Sequence, residues 1–182
     1  DVRNTASCSG NCDAGYACPQ RSTSQNTESN ICPAGTFSTS GASNCTACDV
    51  GYYCEEGSPS QTQHECGSIG TYCPSRSSAP VDVPAGHYST PTTAESVSFR
   101  TGIAPCPAGE YSTDGGTCSP CNEGYYCTQQ SNSSTQNACG SVGKYCPSGS
   151  SAPLNVPAGH YSTPTTVSES LRTGIAPCPA GQ

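Results

Sequence analysis

Cysteine is the residue type with the most chemistry to offer in this chain, at 16 of 182 positions. In a reducing compartment such thiols hold metals or run redox reactions, and in an oxidising one they bridge. C-x-x-C occurs at Cys45 and Cys48 and again at Cys118 and Cys121, the spacing of half a zinc site or of a redox dithiol. Neither chemistry is expected. A closed zinc site needs four ligands, from paired C-x-x-C or from His, and a thioredoxin-like pair needs a surrounding βαβ pattern that is missing. His87 and His160 occupy the same place in two PAGHYS copies, and His64 has no counterpart. The acids Asp49, Glu55, Glu56, Glu65, Glu95, Glu110 and Glu123 are scattered rather than set out as a calcium loop. No Ser, His and acid recur together as a nucleophile with its base. The expectation is no catalytic, cofactor-binding or metal residue, with calcium kept as an alternative.

Modification is the other chemistry the residues allow. The sequons Asn44-Cys45-Thr46 and Asn132-Ser133-Ser134 are acceptors for N-linked glycans. STPTT recurs at 89–93 and 162–166, a composition typical of O-glycosylated stalks or of a bare polar linker. Thr90, Thr92, Thr93, Thr163, Thr165 and Thr166 are the O-glycan candidates, so covalent glycans are the expected attached groups.

The elements that position these residues cannot be built around an apolar core. Leu, Ile, Val and Phe number 2, 4, 8 and 2, with no Met or Trp, a share far below the roughly 20% floor of globular chains. Ordering a residue costs on the order of 1.5 kcal/mol, so such a chain needs another constraint. Disulfides supply it at roughly 2–4 kcal/mol per bridge, which implies export to an oxidising compartment. Six Lys and Arg against thirteen Asp and Glu, without a basic run, exclude nucleic acid as the expected partner. No apolar stretch approaches the roughly 18 residues of a membrane span.

The sequence repeats itself. Residues 32–105 and 106–177 are copies, each running from CPAG to RTGIAP. Residues 1–31 carry a partial copy and 178–182 begin another, and with no Met at the start a longer array is expected. Two smaller patterns recur inside each copy. One is PAG-x-[YF]-S, at 33–38, 84–89, 107–112 and 157–162, whose Pro and Gly suit a tight turn into a short strand. The other is a loop closed by cysteines, such as CDVGYYC at 48–54, CNEGYYC at 121–127 and the longer CGSIGTYC at 66–73. All ten Tyr fall in these patterns, where a ring with a polar tip can cover a disulfide or present a contact surface.

Counting narrows the pairing without fixing it. The leading partial copy keeps the counterparts of Cys48 and Cys54 but lacks those of Cys66 and Cys73, which points to local bridges. These are Cys12 with Cys18, Cys32 with Cys45, Cys48 with Cys54, Cys66 with Cys73, Cys106 with Cys118, Cys121 with Cys127, and Cys139 with Cys146. Cys8 and Cys178 are left to find partners beyond this stretch. The competing scheme interleaves Cys48 with Cys66 and Cys54 with Cys73.

CPAG-x-[YF]-S followed by C-x-x-C and a GYYC loop resembles the ephrin-receptor-like and tumour-necrosis-factor-receptor-like cysteine-rich repeats, cousins of epidermal-growth-factor-like modules. The resemblance spans nearly the whole chain and implies an extracellular, elongated array of small hairpin modules. Val83 and Val156 stand where that pattern places Cys. The expected fold is small and disulfide-rich, with short β-hairpins and turns and little or no helix. Near identity between copies favours a structural subunit of a secreted fibre or surface coat, partnered by copies of itself, other coat subunits and glycans. A receptor or adhesin ectodomain binding a protein or carbohydrate is the alternative.

Overall fold

A computed structural model describes residues 12–19, 26–92, 99–165 and 171–179. Among these the regular structure is sixteen short strands without an α-helix, arranged as eight separate two-stranded antiparallel sheets. β1 (Thr36–Phe37) pairs with β2 (Thr46–Ala47), β3 (Tyr52–Tyr53) with β4 (His64–Glu65), and β5 (Thr71–Tyr72) with β6 (Val81–Asp82). β7 (His87–Thr90) is followed by its partner β8 (Gly102–Pro105). β9 (Glu110–Tyr111) pairs with β10 (Ser119–Pro120), and β11 (Tyr125–Tyr126) with β12 (Asn137–Ala138). β13 (Lys144–Tyr145) pairs with β14 (Leu154–Asn155), and β15 (His160–Thr163) with β16 (Gly174–Pro177). The chain forms two compact units, Asp1–Asp82 with Thr90–Gly102, and Val83–Ser89 with Ile103–Gln182.

One turn builds every hairpin. The two sequence patterns, PAG-x-[YF]-S and the cysteine-closed loop, are the same four-residue unit, x-x-Gly-x, in which the fourth N–H donates to the first carbonyl. It closes from Thr36 to Pro33, Tyr52 to Asp49, Thr71 to Ser68 and His87 to Pro84, then from Glu110 to Pro107, Tyr125 to Asn122, Lys144 to Ser141 and His160 to Pro157. Tyr16 to Asp13 closes the leading copy in the same way. Except at Gly143, the third position carries a positive φ, such as +86° at Gly35 and +81° at Gly86, which an L side chain resists and glycine accepts. Four of these turns make one sequence period.

Successive hairpins are tied by backbone hydrogen bonds of constant pattern. In the first unit the turn glycine N–H donates onward from Gly15 to Ser38 (2.9 Å), from Gly35 to Cys54 (2.7 Å) and from Gly51 to Cys73 (2.8 Å). In the second unit it donates from Gly86 to Ser112 (2.7 Å), from Gly109 to Cys127 (2.8 Å) and from Gly124 to Cys146 (2.8 Å). A further layer comes from two hairpins on. A Cβ built on Gly15 would land on the Gly57 carbonyl, one on Gly35 on that of Arg76, one on Gly86 on that of Gln130, and one on Gly109 on that of Gly149. The chain needs glycine at these turns twice over, for backbone shape and for the oxygen that lies against it.

The interior follows from the composition. Among the described residues the buried apolar side chains are half-cystines and Val83 alone. Serines fill the remaining interior: Ser38, Ser58, Ser77, Ser89, Ser112, Ser131, Ser150 and Ser162 are all buried. A small hydroxyl fits between closely spaced backbones and returns its proton to a carbonyl. Ser58 Oγ donates to Glu55, Ser77 Oγ to Pro74, Ser131 Oγ to Thr128 and Ser150 Oγ to Pro147, at 2.6–2.7 Å. Ser38 Oγ reaches the Tyr16 carbonyl at 2.8 Å, and Ser162 Oγ the Val142 carbonyl at 2.6 Å, each joining one hairpin to the preceding one. Each such bond adds about 1 kcal/mol net and spares the desolvation of an unmade one.

Candidate functional surface

Cysteines close the ends of the hairpins that these turns begin. Seven pairs lie at bridging distance: Cys12–Cys18, Cys32–Cys45, Cys48–Cys54, Cys66–Cys73, Cys106–Cys118, Cys121–Cys127 and Cys139–Cys146. Their Cα separations run from 5.5 Å at Cys32–Cys45 to 6.2 Å at Cys48–Cys54, the usual spacing of a cystine. All seven are local, six to thirteen residues apart, and the interleaved partners are not brought together. Each C-x-x-C is thereby split between two bridges, Cys45 facing Cys32 and Cys48 facing Cys54. Cys178 is unbridged and exposed. Cys8 lies outside the described residues.

The hairpins headed by PAGHYS have no bridge, and an arginine stands in its place. Arg100 and Arg172 are buried, although a charged side chain rarely enters an interior without partners. Nη1 of Arg100 donates to the Pro91 carbonyl, and Nη1 of Arg172 donates to the Pro164 and Ser162 carbonyls. The guanidinium therefore clamps the start of the STPTT segment, whose Thr-Pro bonds are cis in both copies. No spacing rule marks these arginines in the sequence; their recurrence in RTGIAP is the signal that could have found them.

Little else gathers. His87 Nε2 lies 2.6 Å from the Gln130 side-chain nitrogen, while His87 Nδ1 and His160 Nδ1 each sit 3.3 Å from a carbonyl of their own turn. His64 stacks on its cross-strand neighbour Tyr53 at 5.0 Å. Of the acids singled out, Glu95 lies outside the described residues, and among the described ones no three His, Cys, Asp or Glu form a metal-holding group. No described helix is long and apolar enough to cross a membrane. Tyr52 meets Phe99 edge-on at 4.9 Å and pairs with Glu65. Burial first, then the charges of Glu65 and Asp49, push its phenol above the ordinary value of 10.0.

Glycan candidates divide by exposure. Asn44 and Asn132 are exposed, as are Thr92 and Thr165. Thr90 and Thr163 are half-buried strand residues, and each hydroxyl lies against a cross-strand glycine, Gly102 or Gly174. Thr93 and Thr166 lie outside the described residues. The STPTT segments are thus only partly linker: their first two residues close a hairpin.

What the surface does present is a repeated set of aliphatic side chains. Ile69, Val81 and Ile103 in one copy, and Val142, Leu154 and Ile175 in the next, hold equivalent positions and are all exposed, Val142 by 54% and Leu154 by 45%. In a chain so poor in such residues, leaving them outside is a pattern rather than an overflow.

These features define a cysteine-rich, disulfide-stapled series of repeated hairpins. Compared with protein-family models and with curated proteins, the chain matches none.

Proposed function

We propose that this chain is a stretch of a structural subunit of an extracellular, glycosylated fibre or cell-surface coat, a hair- or wall-like assembly whose partners are further copies of itself or neighbouring coat subunits. One observation carries the reading. The two copies share the hydrogen bonds that close their turns, bury the same serines and expose the same aliphatics at Ile69 and Val142, Val81 and Leu154, and Ile103 and Ile175. A ligand-binding ectodomain needs one copy to differ, whereas a lattice needs each copy to offer its neighbour the same contact. Seven bridges suit an oxidising exterior, and the likeness to receptor-type cysteine-rich repeats agrees with it. The role is mechanical rather than catalytic.

Electron microscopy of the native material, with intact-mass measurement, tests the reading. Regular filaments with an axial spacing tied to the sequence period are expected, and Val142→Ser with Leu154→Ser and Ile175→Ser disperses them while leaving the bridges formed. Dispersed monomers that capture a single ligand overturn it.

A further inference from the structure

The two N-glycan sequons fall at different places in the repeat, yet equivalent strand bridges relate their positions. In the first unit an open groove of about 530 Å³ is lined by Phe37, Asn44, Thr46, Pro59, Gln61 and Thr62, among others. Asn44 stands on one wall, in the connection between β1 and β2. Pro59 stands on the other, just after Ser58, which bridges to Phe37. In the second copy Tyr111 takes the place of Phe37 and bridges to Ser131 in the same way, so that the residue after it, Asn132, occupies the place of Pro59. The wall itself is reproduced. Thr62 N–H donates to Ser60 Oγ at 3.3 Å and Thr135 N–H to Ser133 Oγ at 3.3 Å, with hydroxyl pairs Ser60–Thr62 at 3.3 Å and Ser133–Thr135 at 3.4 Å.

We infer that each copy carries one N-linked glycan at this groove, attached from one wall through Asn44 and from the opposite wall through Asn132, with its first N-acetylhexosamine seated against Phe37 or Tyr111. Both asparagines are exposed, and both aromatic rings are half-exposed. A sugar has an apolar face for a ring and hydroxyls for the Ser, Thr and Gln side chains around it, whereas an apolar ligand finds few partners here. Attachment requires a polyprenyl-diphosphate-linked oligosaccharide as donor. The asparagine amide nitrogen attacks its anomeric carbon, the C–N bond forms, the amide loses one proton, and the C–O bond breaks with its electron pair leaving on the lipid diphosphate. Thr46 and Ser134 supply the hydroxyl that the sequon requires two residues on. The inference rests on secretion and not on fibre formation, so filaments that carry no N-glycan would sink it and leave the fibre reading standing.

The full chain, secreted from a glycosylating eukaryotic host, provides the test. Intact mass should fall by one N-glycan in Asn44→Gln and by one in Asn132→Gln. Endoglycosidase trimming of the folded protein, followed site by site, should speed up about tenfold at Asn44 in Phe37→Ala and about tenfold at Asn132 in Tyr111→Ala, each leaving the other site unchanged. A second construction keeps both rings. In Asn44→Gln, adding Pro59→Asn with Gln61→Ser places a sequon on the opposite wall of the first groove, and its glycan should be as slow to trim as that of Asn132. Asparagines without glycan, or trimming equally fast in all these chains, overturn the inference.

Discussion

Two turns of nearly equal backbone offer a controlled experiment on what holds the hairpins together. Gly86 and Gly51 have φ +81° and +82°, and in both turns the N–H that follows the glycine returns to the first carbonyl at 3.2 Å. They differ in what lies beyond. A Cβ on Gly51 meets only ordinary contacts, the nearest at 3.5 Å from Phe99 and the Thr101 methyl, whereas a Cβ on Gly86 lands on the Gln130 carbonyl. Gly51→Ala therefore carries only the left-handed backbone penalty, about 1–2 kcal/mol. Gly86→Ala carries that and must also push the Gln130 loop away. The displacement loosens the Gly86-to-Ser112 bond of 2.7 Å or the Gln130-to-Cys106 bond of 3.0 Å. Losing one hydrogen bond costs about 1 kcal/mol, and overpacking adds roughly 1–3 kcal/mol. The expected gap between the two variants is thus about 2–4 kcal/mol, a factor of roughly 30–900 in local opening. Amide hydrogen exchange of the oxidised protein, read over peptides spanning Cys106 and Ser112 and over 48–54, measures both. If the two substitutions open their surroundings within about 0.5 kcal/mol of each other, the packing of each turn against the loop two hairpins later is not what holds the array together.

Two further outcomes follow from the bridges and from Tyr52. Non-reducing digestion with a glutamate-specific protease, cutting after Glu56 and Glu65, should leave no peptides linked across the cut, since Cys48–Cys54 and Cys66–Cys73 lie on either side of it; linked peptides would restore the interleaved scheme. Glu65→Gln should lower the Tyr52 titration midpoint, followed as tyrosinate absorbance, but leave it above 10.0, because burial is the larger cause and Asp49 remains. The sign for stability is that of a raised acid: the contribution of the neutral Tyr52 is complete below the unfolded value of 10.0 and is lost as pH rises through the higher folded value.

The bridges were the most legible part of the fold. A copy missing Cys66 and Cys73 counterparts together points to a local pair, and Cys66 and Cys73 lie 5.6 Å apart between Cα atoms, within a cystine's span. Hairpins without helix follow from the Gly and Pro positions. That one turn underlies both small patterns was hidden, because Pro33-Ala34-Gly35 and Asp49-Val50-Gly51 share only the glycine, and the conserved object is a backbone shape. The buried serines were hidden for a related reason. Serine signals linker or glycan when read by composition, and its place inside depends on neighbouring backbones that come too close for a larger side chain. Arg100 and Arg172 reach carbonyls of a segment up to ten residues earlier, a contact that no periodicity announces. That Asn132 takes the place of Pro59, opposite the strand that Asn44 precedes, emerges only from the matched Phe37–Ser58 and Tyr111–Ser131 bridges, since along the sequence the two sequons do not coincide.

The carbonyls that cover Gly15, Gly35, Gly86 and Gly109 also impose an order in time. Gly35 is not covered until Arg76 exists, nor Gly109 until Gly149, so each of these turns waits for about forty further residues. At roughly 5–20 residues per second that delay is on the order of 2–8 s. The nearest cysteines, six or seven residues apart, are available to one another far sooner. During synthesis these turns are therefore cross-linked first and covered later, each remaining open until the second hairpin after it has been made.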